Sequence, residues 1–353
     1  MKFLTDGHTA RNMEATHPTP PGREAKAMHI PDAVLDPRTV AVTSAIAVAG
    51  LGYCVSRLRG QLRDRTTVLM GITSACVFAA QMVNFHILVL PVSGHLLGGV
   101  LAAVMLGPWA GACVIATVLA VQCLLCGDGG LTALGANFLN MGLIGSVVGY
   151  AIYAPIRRAI GGHKGVLIAA MAAAWFSVIL ASGAFALELA ASGRRADFLD
   201  VLGWMVLVHA AIGLGEAVIT GLVVRFVLQV RPDLIYGPEV EAPRAVRWGQ
   251  VGFAGLGIAL AVAIFLAPLA SEFPDGLEAV GARLSFIDED RSPAPIVPAP
   301  IPDYAMPGVG WKPMATATAG AIGTLVVFGV GLGLARAFAA GKGPSFGVAP
   351  DAA

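Results

Sequence analysis

The chain has 353 residues, of which 56% are hydrophobic and 13% charged, and its formal net charge is +1. A soluble core of this size cannot hide so much apolar surface, so the composition predicts an integral membrane protein. The near-neutral charge gives no indication of nucleic-acid binding. All five cysteines lie within apolar runs, which is typical of buried thiols and not of a secreted disulfide framework.

Residues 1–27 form a polar leader that contains three prolines. The leader has no apolar h-region and no small-residue cleavage site, so it is not a signal peptide. Two interpretations are open. The leader is either disordered or lies upstream of the start codon that the cell uses. Only the second interpretation, or proteolysis, leaves Met28 with a free amine.

A short polar stretch, Met-His-Ile-Pro-Asp at 28–32, precedes the first apolar run. If Met28 were the N-terminus, its amine, the backbone nitrogen of His29 and the His29 imidazole would form two fused chelate rings around one ion. Three nitrogens in one plane favour Ni(II) or Cu(II) over Zn(II). His95 is the best-placed fourth donor. The plainer alternative is that the Ile-Pro step only leads an extended chain into a helix.

The apolar runs predict an all-α integral membrane protein, a polytopic bundle of about nine transmembrane helices, with seven in a first part and two in a C-terminal part. Because one span needs about 20 residues, we expect the apolar stretch 96–125 to form a hairpin that turns at 106–111. The irregular stretch after residue 85 is expected to dip into the bundle mouth. The other predicted spans are 40–56, 67–85, 131–153, 166–190, 202–230, 251–270 and 316–338.

Basic residues follow alternate spans and predict the orientation and the domain boundary. Short basic loops are cytoplasmic, so we expect the N-terminus outside and the C-terminus in the cytoplasm. After residue 231 the composition changes to a polar linker. The predicted division is a leader at 1–27, a metal-binding transmembrane domain at 28–231, a cytoplasmic linker at 232–248, a second domain at 249–340 with two spans and an outer loop, and a tail at 341–353.

Several polar side chains within or beside the spans are functional candidates. His209 and Glu216 lie seven residues apart on one helical face, where they either relay ions or protons or form a structural pair that fixes helix packing. His86 is either a transient metal ligand near the mouth or a plain loop histidine. The candidates for supporting the metal ligands are Asn84, Ser93, Asp128, Asn137 and Asn140.

Many of these stretches resemble the motifs of one family, the M component (CbiM/NikM) of cobalt and nickel energy-coupling factor transporters. Residues 250–340 resemble the smaller N component, and Pro274–Glu278 matches its Pro-Asp-Gly-Leu-Glu sequence. The chain therefore looks like a fusion of the two components. The stretches that resemble the M component are 28–32, 79–85, 93–99, 107–111, 127–137 and 209–220.

The resemblance implies a substrate-specific subunit of an ATP-driven uptake transporter in a prokaryotic inner membrane, and not an enzyme. It implies that nitrogens of Met28, His29 and His95 hold Ni(II) or Co(II), which is the transported substrate, with no organic cofactor. The chain has no phosphate-binding loop. Separate ATPase subunits and a transmembrane coupling subunit are therefore expected partners, besides membrane lipid. The Pro-Asp-Gly-Leu-Glu segment is expected to help load the metal.

Two other classes of protein fit the sequence less well. An intramembrane metalloenzyme would need an open metal position and a general base, and the chain has no His-Glu-x-x-His motif. A self-sufficient divalent-metal permease or channel is compatible with nine spans. However, the sequence shows neither a ring of charged pore residues nor an internal inverted repeat.

Overall fold

The computed structural model describes residues 28–59, 62, 64–193, 197–237, 247–287 and 296–340. The leader 1–27 and the tail 341–353 that the sequence predicts lie outside the described residues. The helices are α1 (Pro37–Arg59), α2 (Asp64–Gln81), α3 (Gly99–Leu106), α4 (Pro108–Cys126), α5 (Leu134–Ile160), α6 (Gly162–Ala191), α7 (Phe198–Val230), α8 (Trp248–Leu269), α9 (Gly276–Arg283) and α10 (Lys312–Ala340).

Seven of the described helices, namely α1, α4, α5, α6, α7, α8 and α10, are long and apolar enough to cross a membrane. The protein is therefore a multi-pass membrane protein, but the expected count of about nine spans is not confirmed among the described residues. Helix α3 has eight residues, which extend about 12 Å across a hydrocarbon layer of about 30 Å. Helix α2 has 18 residues. The charges at its start and Gln81 at its end lower its hydropathy, and it is not among the seven helices.

The turn between α3 and α4 lies where the sequence predicts it. Gly107 has φ 87°, and a Cβ there would lie 2.8 Å from the ring of Tyr236. Glycine adopts this backbone conformation without steric cost, and Pro108 then starts α4 at the position that proline favours. The prediction of a turn is confirmed. The prediction of a full span before the turn is wrong, because α3 has only eight residues.

The connection from α2 to α3 is not helical and contains a small antiparallel ladder of β1 (Phe85–His86) and β2 (Ser93–Gly94). Pro91 lies between the two strands and has no N–H for a helix, which fits a reversal of the chain there. Ser93 also forms a parallel bridge with Asp275 of the C-terminal part. This ladder is a local exception to the predicted all-α fold.

Helix α2 is largely buried because helices of the C-terminal part pack on it. A Cβ on Gly323 of α10 would overlap the ring of Phe78, and one on Gly255 of α8 would lie 2.5 Å from Ile72. Small residues allow membrane helices to approach this closely. The C-terminal part is therefore packed directly against the first part.

Candidate metal centre

The stretch from Met28 to Ile30 is buried, with the three residues 7%, 2% and 4% exposed. It lies on the loop between α4 and α5, where the N–H of Gly130 donates to the carbonyl of Ile30 at 2.9 Å. Gly129 has φ 82°, and a Cβ there would lie 3.0 Å from the Cβ of His29. Glycines in this loop thus allow the N-terminal stretch to approach the backbone closely.

Asp128 in the same loop joins the first two candidate ligands. Its Oδ1 accepts a hydrogen bond from the nitrogen of Met28 at 2.9 Å, and its Oδ2 lies 3.0 Å from Nδ1 of His29. The hydroxyl of Tyr304 donates to Oδ2 at 2.6 Å. Burial alone would raise the pKa of Asp128, but the contacts with His29 and Tyr304 outweigh it and hold the pKa below its usual value. Asp128 is therefore ionised, accepts hydrogen bonds from Met28 and Tyr304, and lies close to the His29 ring.

His95 lies opposite His29, with the ring centroids 5.4 Å apart and the rings nearly perpendicular at 76°. Its Nε2 lies 3.2 Å from the carbonyl oxygen of Met28, and its Nδ1 lies 3.2 Å from that of Leu96. Burial, and then the neighbouring His29, lower the pKa of His95 and favour the neutral ring. A neutral imidazole donates from one nitrogen only, so the other faces a carbonyl oxygen without a hydrogen bond. A rotation of the ring would free that nitrogen for a metal.

A cavity of about 80 Å³ lies beside the two imidazoles. Both volumes count the space open to the centre of a water-sized sphere, of which one water molecule needs only about 15 Å³. The cavity therefore has room for an ion with part of its hydration shell. The polar side chains that line the cavity are His29, His95, Asn137, Asn140, Ser182 and His209.

Side chains alone do not complete a metal site here. Among the described residues, no group of three His, Cys, Asp or Glu side chains could hold a metal ion. The nitrogens that remain nearby are those of Met28 and the backbone of His29. Nε2 of His29 is also buried and has no hydrogen-bond partner within the described part of the chain. A metal in this place would therefore draw on backbone or amine nitrogens.

Two of the predicted supporting residues lie at this site. Asn137 makes two hydrogen bonds to the backbone of Ile30. Its Oδ1 accepts from the Ile30 N–H at 2.9 Å, and its Nδ2 donates to the Ile30 carbonyl at 3.1 Å. Asn140 donates to Oε2 of Glu188 at 3.0 Å. The structure thus places both side chains beside the cavity, whereas Asp128 contacts Met28 and His29 directly.

The other two predicted supporting residues contact the C-terminal part. The Ser93 hydroxyl donates to the carbonyl of Phe273 at 2.8 Å, and the carbonyl of Asn84 accepts from the N–H of Ser271 at 2.8 Å. Neither residue lines the cavity. His86 is exposed and stacks on Phe273, with 4.5 Å between centroids, so it is not part of the cluster either.

His209 and Glu216 lie on α7 but have different partners. Nδ1 of His209 lies 2.8 Å from the carbonyl of Met205 in its own helix, and His209 lines the cavity. Both carboxylate oxygens of Glu216 accept backbone hydrogen bonds, from Leu97 and Gly98. The two side chains therefore face the interior as the spacing predicts, and each is bonded elsewhere.

The sequence reasoning missed two residues of this site, Tyr304 and Glu188. Tyr304 follows a proline-rich segment and contacts Asp128 across 176 positions of sequence. Its φ of 54°, like that of the preceding Asp303, is unusual for a residue other than glycine. Glu188 lies in α6 as a carboxylate within an apolar run. That pattern is the signal by which Glu188 could have been found.

The fold and the cluster define a polytopic membrane protein with a buried cluster of nitrogen donors beside a loop between two spans. Residues 29–234 match the profile of the CbiM family, described as a cobalt uptake substrate-specific transmembrane region. Residues 249–340 match the PDGLE domain. The chain therefore belongs to the CbiM family and carries a PDGLE domain in its C-terminal part.

Two similar proteins are named as fused nickel transport proteins. A putative fused nickel transport protein NikMN of Archaeoglobus fulgidus is 38% identical over 88% of this chain and 98% of its own length. The fused nickel transport protein NikMN of Rhodobacter capsulatus is 32% identical over 86% of this chain and 96% of its own. A crystal structure of a truncated transition metal transporter covers 57% of this chain and 98% of its own, with 31% identity and a TM-score of 0.52. These relatives are named as transport proteins, which agrees with the prediction that this chain is not an enzyme.

Proposed function

We propose that this chain is the substrate-specific subunit of an uptake transporter for Ni(II) or Co(II). Its membership of the CbiM family and the names of its fused relatives support a role in metal uptake. The observation that carries the proposal is geometric. The nitrogen of Met28 and Nδ1 of His29 converge on one carboxylate, and the His95 ring lies opposite.

The ligands in this proposal are the Met28 amine, the backbone and imidazole nitrogens of His29, and one nitrogen of His95. Asp128 holds the Met28 nitrogen and Nδ1 of His29 close together. On metal binding, Nδ1 would exchange this contact for the metal, and the carboxylate would balance part of the charge of the ion. Four nitrogens in a plane suit Ni(II) better than Co(II), and the names of the fused relatives point the same way. Cu(II) would bind such a set still more tightly, so selectivity depends also on metal availability.

The proposal divides the chain into a metal-binding domain at 28–231 and a second domain at 249–340, joined by a cytoplasmic linker. The chain has no phosphate-binding loop. ATPase subunits and a transmembrane coupling subunit would therefore supply the energy in a prokaryotic inner membrane. Metal enters from the outer face and leaves inward, which requires a lower affinity in the inward-releasing state.

The direct test compares two proteins that differ only at the N-terminus. One begins at Met28, and the other carries residues 1–27. Four ligands that together contribute about 10–16 kcal/mol imply about 3 kcal/mol for each, or about a hundredfold in affinity. We expect the form with the free amine to bind Ni(II) at least a hundredfold more tightly in a competition titration, and His29→Ala or His95→Ala to remove that advantage.

Equal Ni(II) affinity of the two forms would contradict the chelate that includes the Met28 amine. Sequencing the N-terminus of the protein from its native membrane would then show which form the cell makes. The coupling to ATP has a separate test. Metal uptake that continues after ATP depletion, with the membrane potential clamped, would favour the self-sufficient permease over an ATP-driven transporter.

A further inference from the structure

Glu216 is a buried carboxylate in the middle of α7 that makes no contact with the metal ligands themselves. It is 0% exposed. Its Oε2 accepts from the N–H of Leu97 at 2.7 Å, and its Oε1 accepts from the N–H of Gly98 at 3.0 Å. Two hydrogen bonds to one side chain fix both its position and its direction, so this pair connects α7 to the segment that precedes α3.

The segment that Glu216 holds carries His95, two residues before Leu97. Gly98 is the N-cap residue of α3, has φ 76°, and has no side chain to cap the helix. The first N–H groups of a helix have no partner within it, so an acceptor from elsewhere is needed there. Glu216 thus replaces a local cap with one from another helix, and it ties the position of His95 to α7.

The peptide group between Leu97 and Gly98 is also hydrogen-bonded through its carbonyl oxygen. The carbonyl of Leu97 accepts from Nε2 of Gln81, and Oε1 of Gln81 accepts from Nε2 of Gln122, at 3.0 and 2.8 Å. Both glutamines are fully buried, at 0% exposure. Leu97 therefore lies between a carboxylate from α7 and an amide chain from α2 and α4, which leaves the backbone beside His95 little freedom.

The far end of α3 is also tied to the chain that follows α7. The N–H of Tyr236 donates to the carbonyl of Val104 at 2.9 Å, and the Tyr236 ring lies against Gly107. Tyr236 follows the end of α7 by six residues. Helix α3 is therefore connected at both ends to α7 or its extension, so α3 should move with α7.

We propose that Glu216 is a positioning residue that sets the distance between His95 and His29 by fixing the His95 segment to α7. The proposal rests on the proposed function, because it assumes that both histidines bind the metal. His29 is held by Asp128 in the α4–α5 loop and not by α7. A displacement of α7 would therefore draw His95 away from His29 and lower the metal affinity, as inward release requires.

The test is a double-mutant cycle of Glu216→Gln and His95→Ala, read out as Ni(II) affinity in detergent solution. Glutamine has nearly the same shape, but its amide nitrogen would face a backbone N–H and break one of the two hydrogen bonds. Changes in residues that orient a metal ligand cost about 10- to 100-fold in affinity. We expect that loss with His95 present, and less than about a twofold change in the His95→Ala background.

Thr220→Val is the matched control. Thr220 lies one turn further along α7, is fully buried, and its hydroxyl has no partner among the described residues. Valine keeps its shape. We expect Thr220→Val to leave the affinity unchanged, which separates the loss of the connection to α3 from a general disturbance of α7.

Several outcomes would overturn the proposal. These are a folded Glu216→Gln protein with normal affinity, or an equal loss of affinity in both backgrounds. If His95→Ala alone has no effect on affinity, the proposed metal site is wrong instead. Should Glu216→Gln fail to fold, hydrogen exchange of the original protein decides. We expect the Leu97 and Gly98 amides to exchange as slowly as the core of α3, and exchange at loop rates would refute the connection.

Discussion

His29 and His95 face each other beside one cavity, but the chain supports the two rings in different ways. The support of His29 reaches the ring itself, because Asp128 lies 3.0 Å from its Nδ1. His95 is supported through its backbone, by the hydrogen bonds of Leu97 and Gly98 to Glu216. One ring is thus oriented by a charge at its nitrogen, and the other by the placement of its segment.

If Glu216 ties His95 to α7 as proposed, the site has a fixed His29 side and a His95 side that moves with α7. Asp128 lies in a loop and is bonded to Tyr304 of the C-terminal part, so the His29 side depends on contacts between distant parts of the chain. The His95 side depends on α7 and its neighbours in the first part. Changes on the His29 side should therefore alter affinity directly, whereas changes on the His95 side should act through the position of α3.

Among changes to residues that support the two rings, the largest loss of affinity is expected from Asp128→Asn. The amide has one oxygen in place of two, so it cannot serve the Met28 nitrogen, His29 and Tyr304 together. We expect Ni(II) affinity in a competition titration to fall by about a hundredfold, the upper end of the range for residues that orient ligands. Asp233→Asn is the control, since Asp233 pairs with Arg231 outside the cavity. An unchanged affinity for Asp128→Asn would remove Asp128 from the site.

A smaller effect is expected from Tyr304→Phe, which deletes only the hydroxyl that donates to Asp128. The ring would keep its contact with Phe78, whose centroid lies 6.1 Å away. The loss of one hydrogen bond to a carboxylate costs about 1.5 kcal/mol, or about tenfold in affinity. The measurement is the same Ni(II) titration, with Tyr53→Phe at an exposed position of α1 as the control.

If Tyr304→Phe binds as tightly as the original protein, the C-terminal part does not contribute to the His29 side through this contact. The comparison between the two sides would then hold only within the first part of the chain. The φ values near 54° at Asp303 and Tyr304 favour the opposite result. Such backbone conformations persist only where surrounding contacts hold them, and they are common at functional sites.

The candidate residues that the sequence could suggest are those whose pattern is local. Met28 and His29 are neighbours, so their chelate pattern is visible without a structure, and His95 and Asp128 lie in motifs that resemble one family. Tyr304 could not be predicted, because its partner Asp128 is 176 positions away and its proline-rich surroundings have no periodic pattern. The metal-ligand roles themselves remain predictions.

For the fold, hydropathy predicted the long helices but not the shortness of α3. An apolar stretch does not reveal where a helix begins, and the start of α3 depends on Gly98 in a left-handed conformation held by Glu216. The spacing of His209 and Glu216 correctly predicted one interior face of α7. It could not predict their partners, because these come from other segments of the chain.

The smallest loss of affinity is expected from Thr132→Val. Thr132 binds Asp32, the last residue of the stretch 28–32. Oδ1 of Asp32 accepts from both the N–H and the hydroxyl of Thr132, at 2.8 and 2.5 Å, and valine removes only the hydroxyl. The stretch also remains bonded to Gly130 and Asn137. A hydrogen bond contributes about 1 kcal/mol, and only part of this should reach the metal, so we expect less than a threefold loss of Ni(II) affinity.

This last variant also decides how the His29 side is organised. Thr132 contacts Asp32, three residues beyond His29, and makes no direct contact with the proposed donors. If Thr132→Val weakens binding as much as Asp128→Asn in the same titration, the stretch from Met28 to Asp32 is positioned as one cooperative unit, and Asp128 has no special part in it. If the loss stays small, the charge at the His29 ring is what fixes this side of the site.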